Sequence, residues 1–540
     1  VAQQQTVGSL QLPLANCGVV ALDYLGEKGI ATSIGHAPAI ALIDAAAGSR
    51  ISIAEALTNI IWAPIENGLS AISLSANWMW PCNNPGEDER LYSAVEACAA
   101  FAISLGVNIP TGKDSLSMKQ KYSDKEVLAP GTVIISASAH CSDIKSIVRP
   151  MVRPNKGKLY YIPMSDQNYQ LGGSAYAQLK NCVGNQAADV SDAAQFKVNF
   201  DAIQELVKKR EIYAGHDIGS GGLVTTLLEM CFAENKIGLR IDLSSFDPQI
   251  IYAENPAVVI QTSAESAQHL ENKGVSIFEI GEVNESDVVK IQLGKDRFDF
   301  HIPTYRKHWM TTSYLMDNHQ TVPAKAKERF ESIEKTPLTF SFPSSFDGKL
   351  PNVNQDQRIK AAIIREKGSN SEREMAYMMD LAGFEVKDIH MTDLMSGQED
   401  LRDVQLIVAV GGFSNSDVLG SAKGWAGTFI YNALAKKAIT DFFHRPDTLS
   451  LGVCNGCQLF VELGLLHPNH EQKPKMKHND SGKFECVFST IDIQPNNTVL
   501  FQGLSGTRLG IWSAHGEGRF ALPLEESDYQ IVGKYSYDQY

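Results

Sequence analysis

From residue 356 onward the chain alternates short apolar runs with amphipathic stretches, and no other feature restricts its possible folds as strongly. "RIKAAIIREKGSN" predicts a buried strand at 359–364, "SEREMAYMMDLAG" a helix closed by Gly383, and "FEVKDIHM" a second strand. "LIVAVGG" (406–412) predicts a third, "WAGTFIYNALAKKAITDFF" one long helix, and "LSLGVC" (449–454) a fourth strand running into "NGCQLFVELGLL". Strands that read as near-continuous apolar runs, separated by helices, are buried on both faces, which specifies a doubly wound parallel sheet. Such sheets carry their sites at the carboxyl ends of strands, and Cys454 falls at one of them.

The rest of the chain follows a different plan. Short strands ("GTVIISASAH", "KLYYIPM", "PAVVIQT") mix with helices ("ISIAEALTNIIWAPI", "LYSAVEACAAFAISLG", "GGLVTTLLEMCFAEN") and predict two α+β domains, 1–150 and 151–310. Residues 311–355 are charged, proline-punctuated and weakly periodic, which predicts a linker to the α/β domain 356–540. A multidomain α/β and α+β protein agrees with 540 residues at roughly 100–200 per domain. A formal charge of −14 excludes a global field attracting nucleic acid or an anionic membrane, so any phosphate must be held locally. No apolar run reaches about 18 residues and no leader is visible, so neither a membrane span nor a secretory signal is expected and the default is cytoplasmic. Nine scattered cysteines do not resemble a disulfide framework. The start at Val1 and the stop in "KYSYDQY" predict that this is part of a longer polypeptide.

Cys454 can be read in several ways. On the strand alone it is a buried core cysteine. A position where a strand turns into a helix supplies N–H groups and a positive dipole end that favour a nucleophilic thiolate. Gly452 and Gly456 permit a tight turn, Gln458 follows, and "VGGFS" (410–414) ends the neighbouring strand. Backbone N–H groups around Gly412 and Asn455 could converge on the oxyanion formed when Cys454 attacks a carbonyl, which makes acyl transfer the leading chemistry. Cys454-x-x-Cys457 also admits a redox pair, although it follows a fourth strand rather than an early βαβ unit. A zinc site with His478 and Cys486 fits no common spacing. In "WSAHGEGRF" (512–520), His515 and Glu517 suggest a base and its orienting acid, yet the glycines around them favour a structural turn.

In "RISIAEALTNIIW" (50–62), Glu55 and Asn59 stand at i and i+4 on one helix face and could serve Mg²⁺, or simply be solvated. "AGHDIGSGGLVTTLLEM" predicts a strand, Asp217, a glycine-rich turn and a helix, whose N–H groups could face a phosphate while Asp217 faces its metal. "PTGKDSLSMK" (110–119) is not a complete phosphate loop.

In order along the chain, "LSANWM", "PGED", "TGKDSLSMK", "GGLVTTLLEM", "GGFS", "FFHRP", "GVCNGCQ" and "HGEGRF" resemble the phosphoribosylformylglycinamidine synthase family. The resemblance implies that 1–305 is the second half of a duplicated synthetase region, with N- and C-domains like those of aminoimidazole ribonucleotide synthetase. It implies that 356–540 is a class I glutamine amidotransferase domain. It assigns Cys454 as the nucleophile, Gly411, Gly412, Asn455 and Gln458 to the oxyanion and glutamine, and the missing base and acid to a Pro-His-x-Glu string beyond Tyr540. Only 61 positions separate Cys454 from His515, too few for that string. It places Asn16, Glu55, Asn59 and Asp217 around Mg²⁺, and Ala15 and Gly219 beside ATP or ADP, in an auxiliary nucleotide site. Asn16 stands where relatives often have Asp and Gly219 where a serine would touch the nucleotide, so weaker or absent binding is expected. The implied substrates are glutamine, ATP and formylglycinamide ribonucleotide, and the implied partner is the N-terminal half of the same polypeptide. A non-catalytic scaffold and a CxxC oxidoreductase are the rival readings.

Overall fold

In a computed structural model, residues 2–23, 26–165, 169–349, 353 and 357–537 are described. The extreme ends and part of the expected linker therefore lie outside the described residues. The chain divides into two units, Val1–Thr312 and Ser313–Tyr540, with the boundary inside the helix Ile302–Gln320.

The first unit holds two large sheets and a two-stranded ribbon, Lys119–Lys121 with Glu126–Leu128. In one, the strands Gly18–Ala21, Gly29–His36, Thr132–Cys141, Ser73–Met79 and Asn108–Ser115 lie in that spatial order. Thr132–Cys141 alternates half-buried and buried positions along most of its length, as a strand covered on one face must. That cover is the helix Ala45–Ile60, N-capped by the Asp44 carboxylate, which accepts from the Ala47 N–H at 2.9 Å. The second sheet has seven strands, with Lys158–Pro163, Ala257–Thr262 and Ile212–Asp217 adjacent at one end. Ala257–Thr262 is buried at every position, and one continuous apolar core runs from Cys17 to Ile277 through both sheets. Residues of the two predicted α+β domains thus share a core.

The second unit contains a four-stranded, wholly parallel sheet in the order Phe384–His390, Ile359–Arg365, Leu406–Ala409, Leu449–Gly452. Its faces are covered by separate apolar clusters, one around Trp425, Phe429 and Phe442 and the other around Met379 and Val408, which is why its strands read as unbroken apolar runs. The single long helix expected over 425–443 is two, Lys423–Tyr431 and Ala433–His444. Asn432 breaks it by leaving helical geometry (φ −100°, ψ 121°) and accepting from the Ala435 N–H, an N-cap that competes with helix continuation. The stretch expected as a linker includes the helix Pro323–Ser332, with proline in its first turn. Two antiparallel sheets complete this unit, one of Arg508–His515, Glu485–Ile493 and Gly533–Tyr535 and the other of Lys475–Lys477 and Arg519–Ala521.

Candidate active site

The strand Leu449–Gly452 ends two residues before the helix Asn455–Glu462, and Cys454 is that helix's N-cap. Its backbone is held at φ +53°, ψ −112°, a region that costs a non-glycine residue about 1–3 kcal/mol. The turn closes because its flanks have no side chains. A Cβ on Gly456 would lie 2.0 Å from the Ala409 carbonyl oxygen, and one on Gly452 would lie 2.8 Å from the Gly456 oxygen. The outcome is an exposed thiol at the tip of a sharp strand-to-helix turn, the geometry that presents a nucleophile.

Gly411 and Gly412 lie alongside. A Cβ on Gly411 would be 3.3 Å from the Cys454 Cβ, so no side chain separates the two turns. Gly412 takes φ +112° and packs on the 368–370 turn, where Asn370 N–H donates to the Gly411 carbonyl and Phe413 N–H to that of Gly368. These bonds leave the Gly412 N–H without a backbone acceptor among the described residues. The Asn455 N–H, first in its helix, has no intrahelical acceptor either. Both N–H groups thus lack a backbone acceptor in the turns that adjoin Cys454.

The side chains of Asn455 and Gln458 hold this scaffold together. Buried Asn455 accepts from Ser414 N–H at 3.2 Å and donates to Asp417 at 3.3 Å and to Gln458 Oε1 at 3.0 Å. Gln458 Nε2 donates to the Glu517 carbonyl at 2.7 Å. Cys457 is a free thiol, and burial pushes its pKa up, with the neighbouring Cys454 adding to the shift.

His515 and Glu517 do not pair with each other. Burial lowers the His515 pKa, and its Nδ1 lies 2.9 Å from Asn479 Oδ1 while its Nε2 lies 2.9 Å from Ser513 Oγ. Glu517 instead meets Ser421 N–H at 3.3 Å and His478 Nε2 at 3.3 Å. Both His515 nitrogens are engaged within the sheet and its adjoining turn.

In the first unit, the strand Ile212–Asp217 packs against the helix Ala45–Ile60, bringing the four predicted metal-site residues to one region. Each has one polar atom tied to the protein and an oxygen left over. Glu55 Oε2 accepts from His36 N–H at 2.7 Å, and Asn59 Nδ2 donates to Ile34 O at 3.3 Å. Asn16 Nδ2 donates to Gly215 O at 3.1 Å while its buried Oδ1 has no partner. Buried Asp217 meets His216 Nδ1 at 3.1 Å through Oδ1. Burial pushes the Glu55 carboxyl up to about 8 against the His36 hydrogen bond, and the charges of Asp217 and Glu254 add to the rise. Gly219 leaves open space, the Cβ it lacks falling 3.7 Å from Asp217 Oδ2, and Ala15 N–H is tied to Gln5 O.

Two participants carried no local sequence signal. Glu254 accepts from the N–H groups of Ala175 and Gly221, each at 2.7 Å, and so closes the glycine-rich turn from the loop that precedes the strand Ala257–Thr262. His216 lies between Asp217 and Glu229. Burial lowers its pKa, but the hydrogen bonds and charges of both carboxylates lift it to about 10.

Family models match three segments: an FGAR-AT PurM_N-like domain at 1–140, an AIR synthase related C-terminal domain at 165–294, and a CobB/CobQ-like glutamine amidotransferase domain at 358–538. The fold and the Cys454 turn thus belong to a glutamine amidotransferase domain linked to AIR synthase-like domains. The chain is 37% identical over 547 residues to a probable chloroplastic/mitochondrial phosphoribosylformylglycinamidine synthase of Arabidopsis thaliana, covering 97% of this chain and 38% of that protein. It is also 37% identical to the human phosphoribosylformylglycinamidine synthase over 565 residues, 99% of this chain and 42% of the relative. A solved T. maritima PurL in complex with FGAR is similar at 18% identity and a TM-score of 0.43, over 54% of this chain and 48% of that one. The chain therefore carries these three matched domains, is similar over nearly its whole length to phosphoribosylformylglycinamidine synthases, and spans about two fifths of the length of the curated relatives it matches.

Proposed function

We propose that the chain forms the glutaminase and auxiliary-nucleotide portion of a phosphoribosylformylglycinamidine synthase, a glutamine-dependent ligase of purine biosynthesis. The observation that carries this reading is the Cys454 turn, an exposed thiol on strained backbone with the Gly412 and Asn455 N–H groups beside it. Attack of the Cys454 sulfur on the glutamine side-chain amide carbon forms a thioester as the C–N bond breaks, and the nitrogen leaves with an added proton as ammonia. Water then hydrolyses the thioester, releasing glutamate and restoring the thiol. In the complete enzyme, ammonia reaches a synthetase site where ATP phosphorylates the formyl oxygen of formylglycinamide ribonucleotide. Ammonia displaces that phosphate, yielding the amidine, ADP and phosphate. The resemblance to curated relatives over 97% of this chain supports those substrates.

The leftover oxygens of Asn16, Glu55, Asn59 and Asp217 fit a hard cation, because an unpartnered buried carbonyl and mutually repelling carboxylates are both relieved by one. These residues would hold Mg²⁺, which supplies charge neutralisation for ATP or ADP phosphates beside the 219–222 turn. A third carboxylate in place of Asn16, beside Glu55 and Asp217, would add formal charge to that shell, so binding here is the weaker for its amide.

The test is competitive thiol mapping with an α-amino chloroketone of glutamine's length. Cys454 should be alkylated first among the nine cysteines. First labelling at Cys457 or Cys486 defeats the assignment.

A further inference from the structure

Cys457 is a half-buried free thiol that the glutaminase chemistry does not use. It belongs to neither of the apolar clusters that cover the parallel sheet, so packing does not account for it. Its place is set by the Cys454 turn. The Gln458 N–H donates to the Cys454 carbonyl at 3.1 Å, so the chain from Cys454 to Cys457 is the first turn of the helix Asn455–Glu462. Two helical residues between a pair hold its Cα atoms about 5 Å apart, from a rise of about 1.5 Å per residue at a radius of about 2.3 Å. A disulfide needs Cα atoms about 4.4–6.8 Å apart, and this backbone already stands at that distance.

The intervening residues put no side chain between the two thiols. Gly456 has none, and the Asn455 amide is turned to Ser414 N–H, Asp417 and Gln458. A Cβ on Gly411 would lie 3.8 Å from the Cys454 Sγ and one on Gly452 2.9 Å from the Cys457 Cα, so glycine lines the approach to each cysteine. Burial raises the Cys457 pKa and the charge of Cys454 adds to the rise, which puts the two groups within electrostatic reach. Cys457 is thereby kept protonated, while Cys454 stands exposed to a small oxidant.

We propose that Cys454 and Cys457 form a reversible disulfide under peroxide, a modification that withdraws the nucleophile and protects it from irreversible oxidation. The inference rests on Cys454 being the nucleophile of the turn. The Cys454 thiolate attacks one oxygen of hydrogen peroxide, the O–O bond breaks, hydroxide leaves, and the sulfur becomes a sulfenic acid, oxidised by two electrons. The Cys457 sulfur then attacks the Cys454 sulfur, the S–O bond breaks, and the hydroxyl leaves with the Cys457 proton as water. In balance, two thiols and one hydrogen peroxide give one disulfide and two waters. A dithiol reductant restores both cysteines by exchange and is itself oxidised to a disulfide. Without Cys457, the sulfenic acid meets a second peroxide and becomes a sulfinic acid, which dithiols do not reduce.

The test uses the full 540-residue chain, wild type and Cys457→Ser, treated with excess hydrogen peroxide with and without dimedone, a trap for sulfenic acids. Alkylation of Cys454 by the α-amino chloroketone is read by mass spectrometry before peroxide, after it, and after dithiothreitol. Before peroxide the two proteins should alkylate within about two-fold of each other, because the substitution is nearly isosteric. After peroxide, wild type should yield a peptide that contains both cysteines and is two hydrogens lighter, and dithiothreitol should return its alkylation to within about two-fold of the start. Cys457→Ser should instead carry dimedone on Cys454 and, without the trap, stay at least about ten-fold down after dithiothreitol. Wild type that lacks the lighter peptide and is trapped by dimedone as readily as the variant overturns the pair while leaving Cys454 as the nucleophile. Slower alkylation of the variant before any peroxide also overturns it, because Cys457 would then serve to hold the turn. If Cys454 of untreated wild type is not the first thiol alkylated, the glutaminase reading fails and the proposal falls with it.

Discussion

The turns at Cys454 and at Asp217 both connect a strand's carboxyl end to a helix, yet they distribute strain and charge in opposite ways. At Cys454 the functional residue itself carries the positive φ of +53°, and its glycines serve close packing. At Asp217 the glycines carry the unusual angles, Gly221 at φ +93° and Gly222 at +71°, while the carboxylate stays in a regular strand. The thiol is exposed, whereas the carboxylate is buried with a protonated histidine on one side and Glu55 within electrostatic reach. A nucleophile must be presented to a substrate carbon, and strain at its own residue does that. A cation shell must be held before the ion arrives, and burial of repelling oxygens creates the demand for it.

The comparison breaks most severely at the thiol. Cys454→Ala should reduce glutamine hydrolysis in the complete enzyme by more than about 10³-fold, and retention of activity would remove Cys454 from the chemistry. Replacing His515 tests the same turn from the other side. His515→Ala should change the chemical step by less than about ten-fold, below the 10²–10⁴ contributed by a general base. A larger loss in single-turnover assays would restore it as the base.

Packing effects come next. Gly456→Ala drives a Cβ into the Ala409 carbonyl, and Gly222→Ala drives one to 2.7 Å from the Tyr252 backbone at a positive φ. Each should cost about 1–3 kcal/mol or more. Hydrogen exchange should show lost protection at Leu449–Gly452 for the first and at Ile212–Asp217 for the second, and exchange unchanged in both strands would mean that neither turn needs its glycine.

The smallest expected effect is electrostatic. The folded Glu55 carboxyl is raised to about 8 from an ordinary 4.5, mainly by burial. Its contribution to stability is therefore full below the unfolded value and falls as pH rises from about 4.5 to 8, because the unfolded state releases the proton first. Without added divalent cation, Glu55→Gln should flatten that part of the stability–pH curve. With Mg²⁺ present, the wild type should regain stability near pH 8 and the variant should not. Identical curves for the two proteins would place Glu55 outside any such cluster.

Local patterns made a good part of this legible. Apolar runs marked the parallel strands because both faces of that sheet are covered, and the glycines around Cys454 marked a turn because nothing larger fits there. The break at Asn432 was missed because an amphipathic pattern continues across it, while the cap that ends helical geometry is a single side-chain hydrogen bond. Glu254 and Asp417 were missed for a different reason: Glu254 accepts from backbone N–H groups of two other segments and Asp417 from the distant Asn455 side-chain amide, contacts that leave no periodicity around the carboxylate. The same holds for the charged cavity of the second unit, whose lining comes from residues 322, 423, 476–480, 482, 517 and 519.

By itself the sequence determined the strands of the parallel sheet, the turn that presents Cys454, and the pairing of Glu55 with Asn59 on one helix face, because these depend on neighbours within a few residues. Only the tertiary structure decided which oxygens near Asp217 remain unpaired, that His515 is occupied by Ser513 and Asn479, and that Glu517 faces a cavity. Those outcomes depend on desolvation and on hydrogen bonds between segments far apart in the chain, and both exist only once the segments are packed together.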